Sequence, residues 1–308
     1  MCPFCLASMG LIVASAASTG GLAALAVKMS RKKTEPDKSS RVQMKGKIKM
    51  STNTIANPKI VSRDEWLAAR KKLLVKEKRL TRERDALAAE RRQLPWVKVE
   101  KNYVFEGPNG KVTLADLFDG KSQLIIYHFM FGPDWQEGCP SCSFNMDHTD
   151  GALVHLAQRD VSFAAISRAP YPKLAAFKKR IGWRFNWVSS NTNDFNRDYQ
   201  VAFTKEELAK GQVDYNYSMG KFPSEEAPGI SVFYKDENGD IFHTYSAYAR
   251  GTETTMNTYN YLDLVPKGRD EDVLPFTMSW LRHHDRYADG YLADPDQPYW
   301  PADAVSAS

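Results

Sequence analysis

Leu124-Ile125-Ile126-Tyr127-His128-Phe129-Met130-Phe131 runs into Gly132-Pro133-Asp134-Trp135-Gln136-Glu137-Gly138 and then into Cys139-Pro140-Ser141-Cys142. The first eight residues are nearly all apolar, as expected of a central strand covered on both faces. The next seven read as a loop, and a helical segment follows Cys142 to about residue 159. This order puts Cys139 at a helix N-terminus, where unpaired amide hydrogens and the helix dipole stabilise a thiolate. Cys142 follows one turn later. The arrangement suits attack by Cys139 on a substrate disulfide and resolution of the mixed disulfide by Cys142. The C-x-x-C spacing alone is a weak signal, and the strand before it and the helix after it strengthen it.

Working outward, Val161-Ser162-Phe163-Ala164-Ala165-Ile166-Ser167 reads as the next strand and residues 171–181 as a basic amphipathic helix. Ile230-Ser231-Val232-Phe233-Tyr234 is a further strand, and Glu237-Asn238-Gly239-Asp240 is a hairpin turn that returns the chain through residues 241–248. Upstream, Trp96-Val97-Lys98-Val99 and Tyr103-Val104-Phe105 alternate as short strands. A βαβ unit followed by a β-hairpin gives an α/β sandwich. Trp183, Phe185, Trp187, Phe195, Tyr199 and Phe203 are mostly core candidates.

The body resembles an uncharacterised bacterial thioredoxin-like family, domain of unknown function 899, over residues 58–290. The resemblance is carried by Val61-Ser62-Arg63-Asp64-Glu65-Trp66-Leu67-Ala68-Ala69-Arg70, by Tyr127 through Trp135, by Gly138-Cys139-Pro140-Ser141-Cys142-Ser143, by Ser167-Arg168-Ala169-Pro170, by Gly182 through Ser190 and by Asp194-Phe195-Asn196. It implies a thioredoxin-like sandwich with a redox pair, and no known substrate. Thioredoxin-like folds also place a cis-proline opposite the C-x-x-C. Ala227-Pro228-Gly229, just before the 230–234 strand, fits that place, so a cis bond at Pro228 is expected; the other reading is an ordinary trans proline opening a strand. The expected substrate groove takes Pro228, Trp135 and Arg168, framed by residues 189–196 and 210–228. Two departures from thioredoxin stand out. Gly138, and not Trp, precedes Cys139, and the strand before the motif offers only Tyr127 and His128 as polar residues, with no acid to receive the resolving thiol's proton.

Three other readings compete with this one. The peroxiredoxin pattern P-x-x-x-T-x-x-C would need Pro and Thr where Gly132 and Gln136 stand, so only a loose peroxidase reading through Arg168 survives. A metal site from Cys139, Cys142, His148 and His155 fails on helical geometry, because the histidines fall on a different face from the thiols; no metal or cofactor is expected. A redox-inert binding or scaffold protein, with both cysteines as packing residues, is the alternative to the oxidoreductase. His283-His284, flanked by Arg282, Asp285 and Arg286, reads as a solvated charged helix end.

Ser62 with Glu65 three residues on is a capping-box signal for a long charged helix within residues 58–95, stopped by Pro95. Trp66, Leu73, Leu80, Leu87 and Leu94 recur every seven residues, as in a coiled-coil seam. The other seam position holds Arg70, Glu77, Arg84 and Arg91. Packing of one face on the body, or a swapped contact in a homodimer, therefore fits better than a zipper.

Leu6 to Val27 holds no charged side chain, and as a helix it would be about 33 Å long, enough for a hydrocarbon core of about 30 Å. Residues 28–50 carry nine Lys/Arg against two Asp/Glu. Positive charge after the apolar run predicts a single-pass anchor (1–27), a basic flexible linker (28–57) and a cytoplasmic body (96–290), with a tail at 291–308. A start at Met50 would leave a cytoplasmic protein without the anchor. Cys2 and Cys5 precede the run and are read as interface residues. The chain's net charge is +5 over 308 residues, so the basic segment accounts for more than all of it. The remainder is slightly acidic, which argues against nucleic acid as a partner; the partners expected are protein or small-molecule thiols and disulfides.

Overall fold

The Ser62 amide donates to Glu65 Oε2 at 3.0 Å, and the Glu65 amide donates to Ser62 Oγ at 3.3 Å. This reciprocal cap launches α1 (Arg63–Arg91), with Asp64 and Glu65 in the first turn, where the helix dipole favours acids. The computed structural model describes residues 58–287. The expected anchor, the basic linker, Cys2, Cys5 and the tail from 291 lie outside the described residues. Among the described residues, no helix is long and apolar enough to cross a membrane.

One expectation for α1 is corrected: no residue of the helix is buried, so its apolar stripe does not pack on the body of its own chain. Trp66 and Leu80 remain 52% and 57% exposed. In the last turn the Arg91 guanidinium lies 4.8 Å from the Tyr245 ring centroid.

The strands are β1 (Val97–Lys98), β2 (Val104–Gly107), β3 (Gly110–Thr113), β4 (Gln123–His128), β5 (Val161–Ser167), β6 (Asn186–Ser189), β7 (Val213–Tyr215), β8 (Ser218–Gly220), β9 (Gly229–Lys235) and β10 (Ile241–Tyr248). Eight form one sheet in the order β1-β10-β9-β4-β5-β6-β2-β3, and β7 and β8 form a separate hairpin. β4 runs parallel to β5 and antiparallel to β9, and β5 runs parallel to β6. This is a mixed α/β fold with β4 well inside the sheet. The helices α2 (Pro140–Asp150), α3 (Leu153–Ala157) and α4 (Tyr171–Ile181) lie in the crossovers that the parallel pairs require. The long loops expected at 189–196 and 210–228 instead contain short elements. These are α5 (Phe195–Asp198), the end of α6 (Lys205–Lys210) and the β7–β8 hairpin.

β4 shows why its sequence is continuously apolar. Leu124 and Ile126 enter a core with Phe105, Phe118, Ile166 and Phe233. Tyr127, and Phe129 just past the strand, enter a second core with Cys139, Cys142, Phe177, Trp183 and Trp187. The period of two sends neighbours to opposite faces, and both faces are covered. All six aromatics named above as core candidates are buried.

Candidate functional site

The loop after β4 is held to a fixed path before it reaches the thiols. The Lys173 ammonium on α4 donates to the carbonyls of Pro133 (2.8 Å) and Trp135 (3.1 Å). Glu137 accepts from Arg180 and from both guanidinium ends of Arg286 at 2.6–2.8 Å. These charged partners hold the Glu137 carboxyl below its usual range against the opposing effect of burial. The Cys139 amide then donates to the Met130 carbonyl at 3.0 Å, closing the loop back on the strand end.

Gly138 is a glycine for a steric reason. A Cβ there would lie 2.6 Å from Phe129 Cε1 and 3.3 Å from Phe177 Cε1. A tryptophan before Cys139 has no room in this aromatic floor.

Cys139 has extended backbone (φ −61°, ψ 128°) and is the N-cap of α2, with Pro140 in the first turn. Proline suits that place, because its missing N–H costs no helical bond. Ser143 donates through both its amide (2.9 Å) and its hydroxyl (3.0 Å) to the Cys139 carbonyl. The thiols are enclosed: Cys139 is 3% exposed and Cys142 1%. Tyr127, Met130, Ser141, Pro228, Thr252 and Met256 line the closed pocket around them. Thr252 and Met256 come from the segment just after β10. That cover is tied to α2 where Thr255 Oγ1 donates to Asn145 Oδ1 at 3.0 Å.

Tyr127 occupies the position where the strand offers no acid. It lines the pocket with both thiols, and burial, with Cys142 and Cys139 nearby, pushes its pKa well above the ordinary phenol value. His128, one residue on, points to the other face. Its Nε2 lies 2.8 Å from Ser231 Oγ, and burial with His243 nearby lowers its pKa to about 3.

Of the sequence-predicted site residues, Cys139, Cys142 and Pro228 come together in the closed pocket. Trp135 and Arg168 line a separate cavity of about 320 Å³ with Gly132, Leu208 and Glu226. The expected cis bond at Pro228 is corrected: among the described residues every peptide bond is trans. The trans form is the cheaper one. Here the Ala227 amide donates to the Val201 carbonyl at 2.9 Å, and the Pro228 carbonyl accepts from the Tyr215 hydroxyl at 2.7 Å. The solvated end expected at His283-His284 is corrected too. Both are buried, and His283 Nε2 donates to the Gly138 carbonyl at 2.9 Å while its Nδ1 accepts from Arg180 at 2.9 Å. His148 instead meets Thr258 at 2.6 Å.

Sequence reading missed Glu226. Its carboxylate is buried and accepts from Arg168 Nε at 2.7 Å and Nη2 at 2.6 Å. Burial raises the Glu226 carboxyl to about 7 although Arg168 pulls it down. The one cue was its position directly before Ala227-Pro228.

A family model described as "Bacterial protein of unknown function (DUF899)" matches residues 55–287, and the chain belongs to that family. No curated relative matches it. Among solved structures it is similar to peroxidoxin BcpB of Mycobacterium tuberculosis, at 13% identity and a TM-score of 0.37 over 54% of this chain and 95% of the other. It is also similar to a PrxQ variant of Xylella fastidiosa (13%, 0.35, 54% and 94%) and to the reduced 2-Cys peroxiredoxin of Plasmodium vivax (15%, 0.32, 55% and 94%).

Proposed function

We propose that this member of the family is a thiol–disulfide oxidoreductase of the thioredoxin-like type, tethered to a membrane through residues 6–27 and carrying its body in the cytoplasm. The observation that carries the reading is the seat of Cys139. It N-caps α2 directly after the loop from the buried strand β4, with Cys142 one turn on and Pro228 lining the same pocket. Unpaired amides of the first helical turn favour the Cys139 thiolate.

The thiolate attacks one sulfur of a substrate disulfide. That S–S bond breaks, the leaving sulfur takes up a proton, and a mixed disulfide forms on Cys139. Cys142 attacks the Cys139 sulfur, and its proton passes to the departing substrate sulfur. The Cys139–Cys142 disulfide forms and the second substrate thiol departs. Two electrons pass from the pair to the substrate, and an external dithiol restores the pair. Substrate entry requires residues 252–256 to move off the thiols, because the pocket is closed.

That closure favours a second reading, a redox-inert binding fold in which both cysteines only pack. Alkylation of the full chain at pH 7 separates the two. The oxidoreductase labels Cys139 at least about tenfold faster than Cys142, as thiolate character dictates, and Cys142→Ser traps mixed disulfides. Equal, slow labelling with nothing trapped leaves the inert fold.

A further inference from the structure

We propose that α1 pairs with α1 of a second copy of this chain, antiparallel and in one register. The inference is independent of the thiol chemistry. α1 has 29 residues, about 43 Å of helix, and none is buried. Helices gain most of their stability by packing an apolar face. Here that face, Trp66, Leu73, Leu80 and Leu87, is 51–57% exposed.

Charge selects the occupant and its direction. The second seam position of the seven-residue repeat holds Arg70, Glu77, Arg84 and Arg91. In a parallel pair each of these would face its own copy, giving three Arg–Arg layers and one Glu–Glu layer. In an antiparallel pair each faces an apolar residue instead. Arg70 meets the partner's Leu87, Glu77 the partner's Leu80, Arg84 the partner's Leu73 and Arg91 the partner's Trp66. The side-chain stems lie on the apolar surface while the charged heads reach water.

The flanks select the register. In this alignment Lys76 stands opposite the partner's Glu83, twice by symmetry. The other flank sets Leu67 against Ala88 and Leu74 against Thr81. A slip of seven residues one way puts Lys76 against Lys76, and the other way Glu83 against Glu83, both repulsive. The two-fold axis crosses between Lys78 and Arg79, close to the middle of the helix, so nearly its whole length is used. The same alignment carries the start of each helix toward the partner's Leu94 and Trp96, which are themselves exposed.

Disulfide trapping in the full chain tests this. Lys76→Cys and Glu83→Cys are introduced together; seven residues apart on one helix they are separated by about 10 Å, beyond disulfide reach. The expected product is a covalent dimer whose linked peptides contain positions 76 and 83. Light scattering reads the charge term separately. Lys76→Glu weakens the dimer about tenfold, and adding Glu83→Lys restores it. Links only of 76 to 76 or of 83 to 83, or a full chain that is monomeric at micromolar concentration, would overturn the proposal.

Discussion

α1 and α2 stand at opposite extremes of burial. α1 has a clear seven-residue apolar repeat over 29 residues and buries nothing. α2 has no regular apolar face over 11 residues, yet buries seven side chains, among them Ser141, Asn145 and Asp150. Periodicity therefore tells which face of a helix seeks cover, not whether its own chain supplies it. α2 is enclosed because of where β4 delivers it: over a floor of Phe129, Phe177 and Trp187, under Met256 and beside Trp183. Its polar side chains are met one by one. Asp150 accepts from the Arg184 guanidinium and from the Arg184 and Phe185 amides, and Asp147 accepts from Trp183 Nε1.

The sharpest way to break the contrast is to truncate one ring under α2. Trp187 is buried, lies 4.6 Å from Phe129 and donates to Ser167 Oγ. Trp187→Ala should cost about 3–5 kcal/mol in urea denaturation. A cost near that of a surface residue would mean that this floor does not hold the helix.

Gly138→Ala drives a methyl group into Phe129 and should cost about 1–3 kcal/mol. It should also alter Cys139 alkylation, because the clash sits one residue from the sulfur. A neutral Gly138→Ala would show that the loop yields more easily than its anchors suggest.

The pH dependence comes next. His128 has a folded pKa near 3 against about 6.5 unfolded, so between these values the unfolded chain binds more protons and stability rises with pH. Glu226 acts in the opposite sense between about 4.5 and 7, where the folded state holds the proton more tightly. The stability difference between wild type and His128→Asn isolates the histidine. It should change by at most about 1.4 kcal/mol per pH unit below 6.5 and be flat above 7. A difference independent of pH would mean that His128 holds its proton equally well in the folded and unfolded chain.

The smallest effect belongs to α1. Leu80→Ala should stay within about 0.5 kcal/mol when measured on dilute monomer. A larger loss there would mean that the body does cover this stripe.

The central strand, the helix after it and the β9–β10 hairpin were legible because local signals decide them: a continuous apolar run, a proline in the first turn, an Asn-Gly turn. The residues that support the site were less so. His283 and Gly138 meet across 145 positions, and nothing around Arg282 or Asp285 marks a buried ring. Glu226 lies in a polar stretch that reads as solvated loop, and only its pairing with Arg168 explains its burial. Trp135 and Arg168 were legible as neighbours of the motif, but their cavity, lined also by residues 223–226, is separate from the pocket of the thiols.

The cover over Cys139 and Cys142 has a consequence in time. Thr252 and Met256 leave the ribosome about a hundred residues after the cysteines they enclose. At about 5–20 residues per second, a nascent chain carries this sulfur pair unsheltered for several seconds or longer. Oxidants present during translation reach these atoms before the finished protein closes over them.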